Sequence, residues 1–248
     1  MDRHLDAARL LLSARRDPTQ LLLSLPESLR PKDAAGAYHV QRAVMAELGP
    51  IGGWKVGSPR PDGPCTCAPM PASGVVASGA TVSDAPLRGV EAEIAVRMGS
   101  DLPPRSTPYT REEVLAAIAS VHPAIEVLQS RYADSEAVDP LSSLSDSLSH
   151  GGFVYGEAVP DWQAVDLATE TVRLVIDGAE VKRRTANPAG DMIRLVTWLA
   201  NEGAAWAGGL KAGQFVTTGS WTGKDFTGPG GTVRVAFAHM GEVELRFA

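Results

Sequence analysis

The segment Gly89-Val-Glu-Ala-Glu-Ile-Ala-Val-Arg-Met98 constrains this chain more than any other, because it places Glu91 and Glu93 two apart inside an apolar run. Its alternation reads as a β-strand, and side chains at i and i+2 of a strand point to one face. Two readings of that face stand side by side. In one, Glu91, Glu93 and Arg97 form the wet face of a half-buried strand whose Ile94, Val96 and Met98 face the core. In the other, two carboxylates aimed at one point hold a positive ion between them, and all-oxygen ligation favours Mg²⁺, Mn²⁺ or Ca²⁺ over zinc or copper. A third carboxylate tilts the balance toward the metal. Glu126 is flanked by Ala124, Ile125, Val127 and Leu128, where an acid is costly unless it is paired or ligates a metal.

At 248 residues, 44% hydrophobic and 21% charged, the chain can bury one substantial core. A net charge of −6 argues against a nucleic-acid surface, since Lys182-Arg183-Arg184 is the one basic cluster and reads as a solvated strand end. No stretch reaches the roughly 18 apolar residues of a membrane span, and the charged first segment lacks a cleavable-signal pattern, so a cytoplasmic location is expected. Cys65 and Cys67 are too few for a disulfide framework or a structural zinc site and read as two thiols in a loop.

The first fifty residues read as a helical lobe. Leu5, Ala8, Leu11 and Leu12 recur at helical spacing, and a second helix is predicted from Asp33 as N-cap to the stop at Gly49-Pro50, with Ala37, Val40, Val44 and Leu48 on one face. From Gly53 the texture changes to short β-type runs broken by Gly and Pro, giving an expected division into a lobe over 1–50 and a mainly β body over 51–248. Thr110-Arg-Glu-Glu113 is a capping-box pattern opening a helix inside the body. Asp177-Gly178 is the dipeptide of a tight hairpin, and a helix is predicted from Asp191 to about Ala205. Alternating Val233, Val235, Phe237, Val243, Leu245 and Phe247 then mark C-terminal strands. The Ser-rich stretch 141–152 reads as a functional or mobile loop.

Other candidate chemistry is more open. Lys55 lies in Gly53-Trp-Lys-Val-Gly57, either as an ordinary solvent-facing strand lysine or as a cation near a ligand that the glycines let approach. Thr217-Thr218-Gly219-Ser220-Trp221-Thr222-Gly223-Lys224 is not a phosphate loop, because three residues rather than four separate its glycines and Asp225 follows the lysine. It reads as a strand-end turn or a ligand-facing Gly/Ser loop. His122 and His150 are structural, solvated or functional. The absence of G-x-S-x-G and H-E-x-x-H weighs against serine-hydrolase and zincin chemistry.

Taken in order, Ala37-Tyr-His-Val-Gln41, Gly53-Trp-Lys-Val-Gly57, Glu91-Ala-Glu-Ile-Ala95, the run from Pro123 to Arg131, Asn187-Pro188, Trp198-Leu-Ala-Asn201 and the run from Lys211 to Ser220 resemble the 2-keto-4-pentenoate hydratase and 4-oxalocrotonate decarboxylase branch of the fumarylacetoacetate hydrolase superfamily. The resemblance implies an α+β, mainly β fold, a mixed sheet rolled into a barrel-like body behind a helical N-terminal part, assembled into homo-oligomers. It implies Glu91, Glu93 and Glu126 as ligands of Mg²⁺ or Mn²⁺. Lys55, Asp146 and Ser220 follow as catalytic groups, and Gly219, His150 and Arg131 as substrate-binding groups. The implied activity is hydration of a small 2-oxo acid or 2-hydroxyalka-2,4-dienoate, as in aromatic meta-cleavage catabolism. Decarboxylation of a 2-oxo diacid, acylpyruvate-type C–C hydrolysis and a catalytically silent 2-oxo-acid-binding scaffold are the alternatives. Two departures touch the proton-transfer groups: Pro71-Ala-Ser-Gly74 replaces a Pro-Asp-x-Gly turn, and Asp146-Ser-Leu-Ser149 replaces Asp-Asn-Ala-Ser.

Overall fold

The computed structural model of the protein describes residues 2–84 and 86–248. Two helices open the chain, each starting where a carboxylate can cap it. Asp2 accepts from the His4 amide ahead of α1 (Arg3–Arg16), and Asp33 accepts from the Gly36 amide ahead of α2 (Ala34–Leu48). Gly49, at φ 102°, terminates α2 as expected. Ala7, Ala8, Leu11 and Leu12 pack on Val40 and Val44, with Tyr132 from the body closing the cluster. Gln41 ties α2 down by donating to the carbonyls of Leu144 and Cys67.

The body holds two mixed sheets. The larger runs β2 (Thr66–Pro71), β1 (Ile51–Gly57), β10 (Phe215–Thr217), β5 (Gly89–Met98), β6 (Ile118–Leu128), β7 (His150–Tyr155) and β3 (Val75–Ala77), with the two-residue β11 (Asp225–Phe226) also on β5. The smaller runs β4 (Ala80–Val82), β13 (Glu242–Phe247), β12 (Thr232–Phe237), β8 (Thr171–Ile176) and β9 (Ala179–Thr185). Val90, Ala92, Ile94 and Val96 of β5 share one core with Val172, Leu174, Val233, Val235, Val243 and Leu245 of the second sheet. The sheets therefore bury their apolar faces against each other.

Among the described residues, strand pairing does not close the barrel-like roll expected from the sequence. The larger sheet ends at β2 and β3, and β2 carries Pro69 and Pro71, which cannot donate to a further strand. The α+β, mainly β class stands. Among the described residues no helix is long and apolar enough to cross a membrane.

Local expectations met different fates. Thr110 and Glu113 form the capping box of α3 (Arg111–Ala116). Asp177 and Gly178 both take positive φ at the β8–β9 turn, as a type I′ hairpin requires. The helix expected from Asp191 to about Ala205 is α5 (Met192–Trp198), whose tail widens into a π turn at Leu199–Gly203. There a Cβ on Gly203 would lie 2.8 Å from Cys67 Sγ, so the tail is pressed onto β2.

The Ser-rich stretch is not an exposed loop. Its first half is α4 (Pro140–Ser145), capped by Asp139, and Ser142, Ser145, Ser147 and Ser149 are all buried. Small hydroxyls mimic loop composition yet can be satisfied inside: Ser145 donates to the Leu141 carbonyl, and Ser142 to Asp139. Ser147, Leu148 and Ser149 then take φ of 52°, 53° and 64°, three successive non-glycine residues in the left-handed region.

The glycines around Lys55 have different uses. Gly53 faces Phe215 on β10, and a Cβ there would meet the Phe215 carbonyl oxygen and Met70 Cε, each at 2.6 Å. At Gly57 the nearest atom is Gly219 Cα at 3.9 Å. Gly53→Ala should therefore destabilise the fold by about 1–3 kcal/mol, the usual cost of overpacking, while Gly57→Ala stays within about 1 kcal/mol of the natural protein. Urea denaturation of both variants checks the contrast.

Candidate functional site

The site grows out of one strand pairing. β5 and β6 run antiparallel with Glu91 directly opposite Glu126, so both point to the same side of the sheet, and Glu93 follows on that side two residues along. One carboxylate oxygen from each of the three lies within 4.8 Å of the others. Glu93 and Glu126 are buried, and Glu91 is partly so. On the neighbouring strands, Lys55 of β1 stands beside Thr217 of β10.

Lys55 is not the solvent-facing lysine of an ordinary strand. It is 8% exposed, its ammonium is bound to Glu126 Oε1, and it also donates to the Leu148 carbonyl at 3.3 Å. The left-handed turn thus presents a backbone oxygen to the lysine. Burial works against the ammonium, but Glu126, Glu91 and Glu93 outweigh it and hold Lys55 above its usual pKa. Burial likewise works against the Glu126 carboxylate, yet Lys55 and His150 keep it ionised below its ordinary range. His150 Nδ1 lies 3.2 Å from Glu126 Oε1. Burial depresses the His150 pKa, so the ring is neutral and donates from Nδ1.

Gly219 closes the other side. Its amide donates to Glu93 Oε2 at 3.1 Å, and its φ of 91° belongs to glycine. Asn187 holds this turn by donating to the carbonyls of Thr218 and Gly219, while its own side-chain oxygen accepts from the Ala189 amide. Ser220 accepts from the Gly223 amide and lines the cavity beside Glu91. A cavity of about 420 Å³ opens above these groups, lined by Lys55, the three glutamates, Gly219, Ser220 and the apolar Val56, Leu148, Pro188 and Ala189. That volume suits a small organic acid.

Three expected site residues, Asp146, Arg131 and His150, lie outside the cavity wall. Asp146 and Arg131 are buried against each other: Arg131 binds the Asp146 carboxylate through Nε and its own backbone amide, and also donates to the carbonyls of Asp146 and His150. Neither lines the cavity. Each guanidinium nitrogen of Arg131 is engaged inside the protein, and the Asp146 carboxylate is enclosed against it. Their effect runs through His150, whose carbonyl also accepts from Arg15 of α1. His150 itself stands behind Glu126 rather than in the cavity wall. His122 is structural, bound to the Gly156 carbonyl and Ser120 hydroxyl and set against Tyr155 and Phe215. Residue patterns did not single out the Leu148 carbonyl, Thr217 or Lys224 as site groups. Only the motif context of Lys224 hinted at it, and failed Walker spacing says nothing about a lysine at a cavity rim.

The donor set fits a hard divalent cation. It is all oxygen, and Glu126 Oε2 is buried without a hydrogen-bond partner. Burial first, then the charges of Glu126 and Glu91, push the Glu93 carboxyl well above its usual range. A raised carboxyl pKa means that the folded chain binds more protons than the unfolded one between the two values. Stability of the metal-free protein therefore falls as pH rises past the ordinary glutamate value of about 4.3. In EDTA, Glu93→Gln should melt higher than the natural protein at pH 7–8, and the gap should close toward pH 4. A Gln variant no more stable than the natural protein at pH 7–8 would count against mutual repulsion at this cluster.

Comparison with known proteins agrees with this geometry. The fumarylacetoacetate (FAA) hydrolase C-terminal model matches residues 44–248. 4-Oxalocrotonate decarboxylase of Pseudomonas putida is 32% identical over 137 residues, 54% of this chain and 51% of that protein. 2-Hydroxyhexa-2,4-dienoate hydratase of Comamonas testosteroni is 32% identical over 131 residues, 52% of this chain and 48% of that protein. These alignments span about half the length of the curated relatives. A solved structure of 4-oxalocrotonate decarboxylase from Pseudomonas putida G7, complexed with magnesium and adipate, superposes with a TM-score of 0.85 at 26% identity, covering 100% of this chain and 99% of that one. Its complex with calcium and acetate gives 0.84. With the family model running through every strand and all three converging glutamates, the chain belongs to the fumarylacetoacetate hydrolase family.

Proposed function

We propose that this chain is a divalent-metal-dependent hydro-lyase acting on a small 2-oxo acid or its 2-hydroxyalka-2,4-dienoate tautomer. One observation carries the reading: three carboxylates and a buried ammonium converge on the floor of a single cavity sized for such a substrate. Glu91, Glu93 and Glu126 would hold Mg²⁺ or Mn²⁺. When bound, the cation supplies Lewis acidity that draws charge from a 2-oxo carboxylate. The chain's own groups do the rest. Lys55 sets a fixed positive charge beside the floor, where negative charge on the C2 oxygen of a dienolate needs a partner, and its ammonium can lend a proton there. The Gly219 amide and Ser220 hydroxyl orient the carboxylates, and Val56, Leu148, Pro188 and Ala189 keep bulk water from the reacting carbons.

Stabilising the dienolate allows protonation at a remote carbon, after which water adds to the conjugated ketone. Loss of CO₂ from a 2-oxo diacid draws on the same electron sink and is the second reading. It is supported by the full-length structural likeness to a decarboxylase that binds the dicarboxylate adipate. Self-association, implied by the family resemblance, belongs to the proposal, and the 55%-exposed Phe226 ring offers a surface for it.

Two measurements test the reading. Replacing Glu91, Glu93 or Glu126 by Gln keeps size and removes charge, and Mn²⁺ titration followed by EPR should show affinity lowered on the order of 100-fold in each. Natural affinity in all three variants would remove the metal assignment. Lys55→Met should lower kcat on 2-hydroxypentadienoate about 10²- to 10³-fold, the cost of one preorganised electrostatic donor. Mn²⁺ affinity should hold or rise, because the ammonium that competes for Glu126 is gone. Unchanged turnover would exclude the lysine from the chemistry, and a loss confined to KM would mean uniform substrate binding instead.

A further inference from the structure

The cavity carries two lysines at different depths, and only one is committed. Lys55 lies at the floor, bound to Glu126 and the Leu148 carbonyl. Lys224 lines the same cavity from the turn after Ser220, with its side chain 44% exposed. Its ammonium pairs with Glu136, which lies outside the cavity lining and whose side chain is 73% exposed. Exposed pairs of this kind contribute little and exchange readily with water or a competing anion.

The two arms of that pair are held from behind. Glu136 sits on a turn whose amides, its own and that of Ala137, donate to the Asp134 side chain. Around Lys224, the Gly223 amide donates to Ser220, and Asp225 is fixed both by pairing with Val90 of β5 and by its ion pair with Lys182. Lys182 also donates to the Thr222 carbonyl. The backbone of Lys224 is thus held on both sides, while its ammonium is partly exposed and paired only with an exposed carboxylate. Lys224 and the metal-binding Glu91 line one and the same cavity. Other polar side chains at the wall, Ser58, Thr66 and Ser143, are neutral. A substrate chelated at the floor by its 2-oxo-acid end would direct its other end toward this rim.

We propose that Lys224 is the specificity-determining residue of the cavity: it exchanges Glu136 for the distal carboxylate of a 2-oxo diacid and so selects dicarboxylates over monocarboxylates of equal length. The inference rests on the 2-oxo-acid reading above and specifies its substrate class for hydration and decarboxylation alike. Glu136 is then a stand-in anion that keeps the ammonium at the rim and sets a threshold that only a second anion overcomes.

Calorimetric titration of the Mg²⁺-loaded protein with 2-oxoadipate and 2-oxohexanoate, six-carbon acids that differ in the distal carboxylate, tests this. The natural protein should bind the diacid about 10-fold more tightly, the worth of one partly exposed charge-assisted contact. Lys224→Met should remove most of that preference through the diacid arm. Glu136→Gln should widen it, because the ammonium no longer has a competing partner. A preference that survives Lys224→Met, or equal weakening of both acids, overturns the assignment. If the natural protein binds 2-oxohexanoate but shows no preference for the diacid, the assignment of Lys224 falls and the 2-oxo-acid reading stands. If it binds neither acid, that reading fails and this inference with it.

Discussion

The register of β5 against β6 is the constraint on which the rest of the site depends. Glu91 meets Glu126 across the ladder only because Val90, Ala92, Ile94 and Val96 face the inter-sheet core together with Val121, Ile125 and Val127. A one-residue slip of β5 would send the carboxylates of Glu91 and Glu93 into that core and four aliphatic side chains into the cavity. The hydrophobic face therefore enforces the position of the acids on the other. Repulsion among the carboxylates is met locally by the Lys55 ammonium, which would be as costly as they are if buried alone. The cluster is tolerable as a set and expensive in any part.

Holding that set needs a second layer made from the helical lobe and α4. Arg15 and Arg131 both donate to the His150 carbonyl, which fixes the end of β7 where the imidazole reaches Glu126. The Arg131–Asp146 pair lies two steps from the cavity and is fully enclosed, a setting in which loss of one partner leaves an uncompensated charge. Between Asp146 and His150 the backbone follows three left-handed residues, a conformation that costs free energy at each one. Its return is the Leu148 carbonyl, delivered to Lys55. Strain and ion pair together aim one backbone oxygen at Lys55.

Much of this was legible in residue order, and the reasons differ from place to place. The two-apart glutamates and the acid inside Pro123-Ala-Ile-Glu-Val-Leu128 could be read because strand periodicity and the cost of a buried charge are local facts. The caps at Asp33 and Thr110 were equally local. What could not be read depends on partners distant in the chain. Asp146 looks like a catalytic acid in a polar loop until Arg131 is seen to enclose it. The serines around it look mobile until α2 and β2 are laid over them through Gln41. The edges of the larger sheet, at which the expected barrel-like roll ends, follow from two prolines and a three-residue strand whose neighbours no local pattern names.

The contrast between the two lysines shows why residue type alone does not assign a role. At Lys55 the surroundings are dry, so its charge is felt strongly over a short range and is already balanced by the acids below it. Such a group can stabilise charge that develops during a reaction, but it has no spare capacity to select among incoming anions. At Lys224 water screens the ammonium and its partner is exposed, so the pair can open at little cost. A group of that kind adds little to the barrier of a reaction. It can discriminate between two substrates that differ by a single charge at the far end. Depth in one cavity thus separates the chemistry of a substrate's first carboxylate from the recognition of its second.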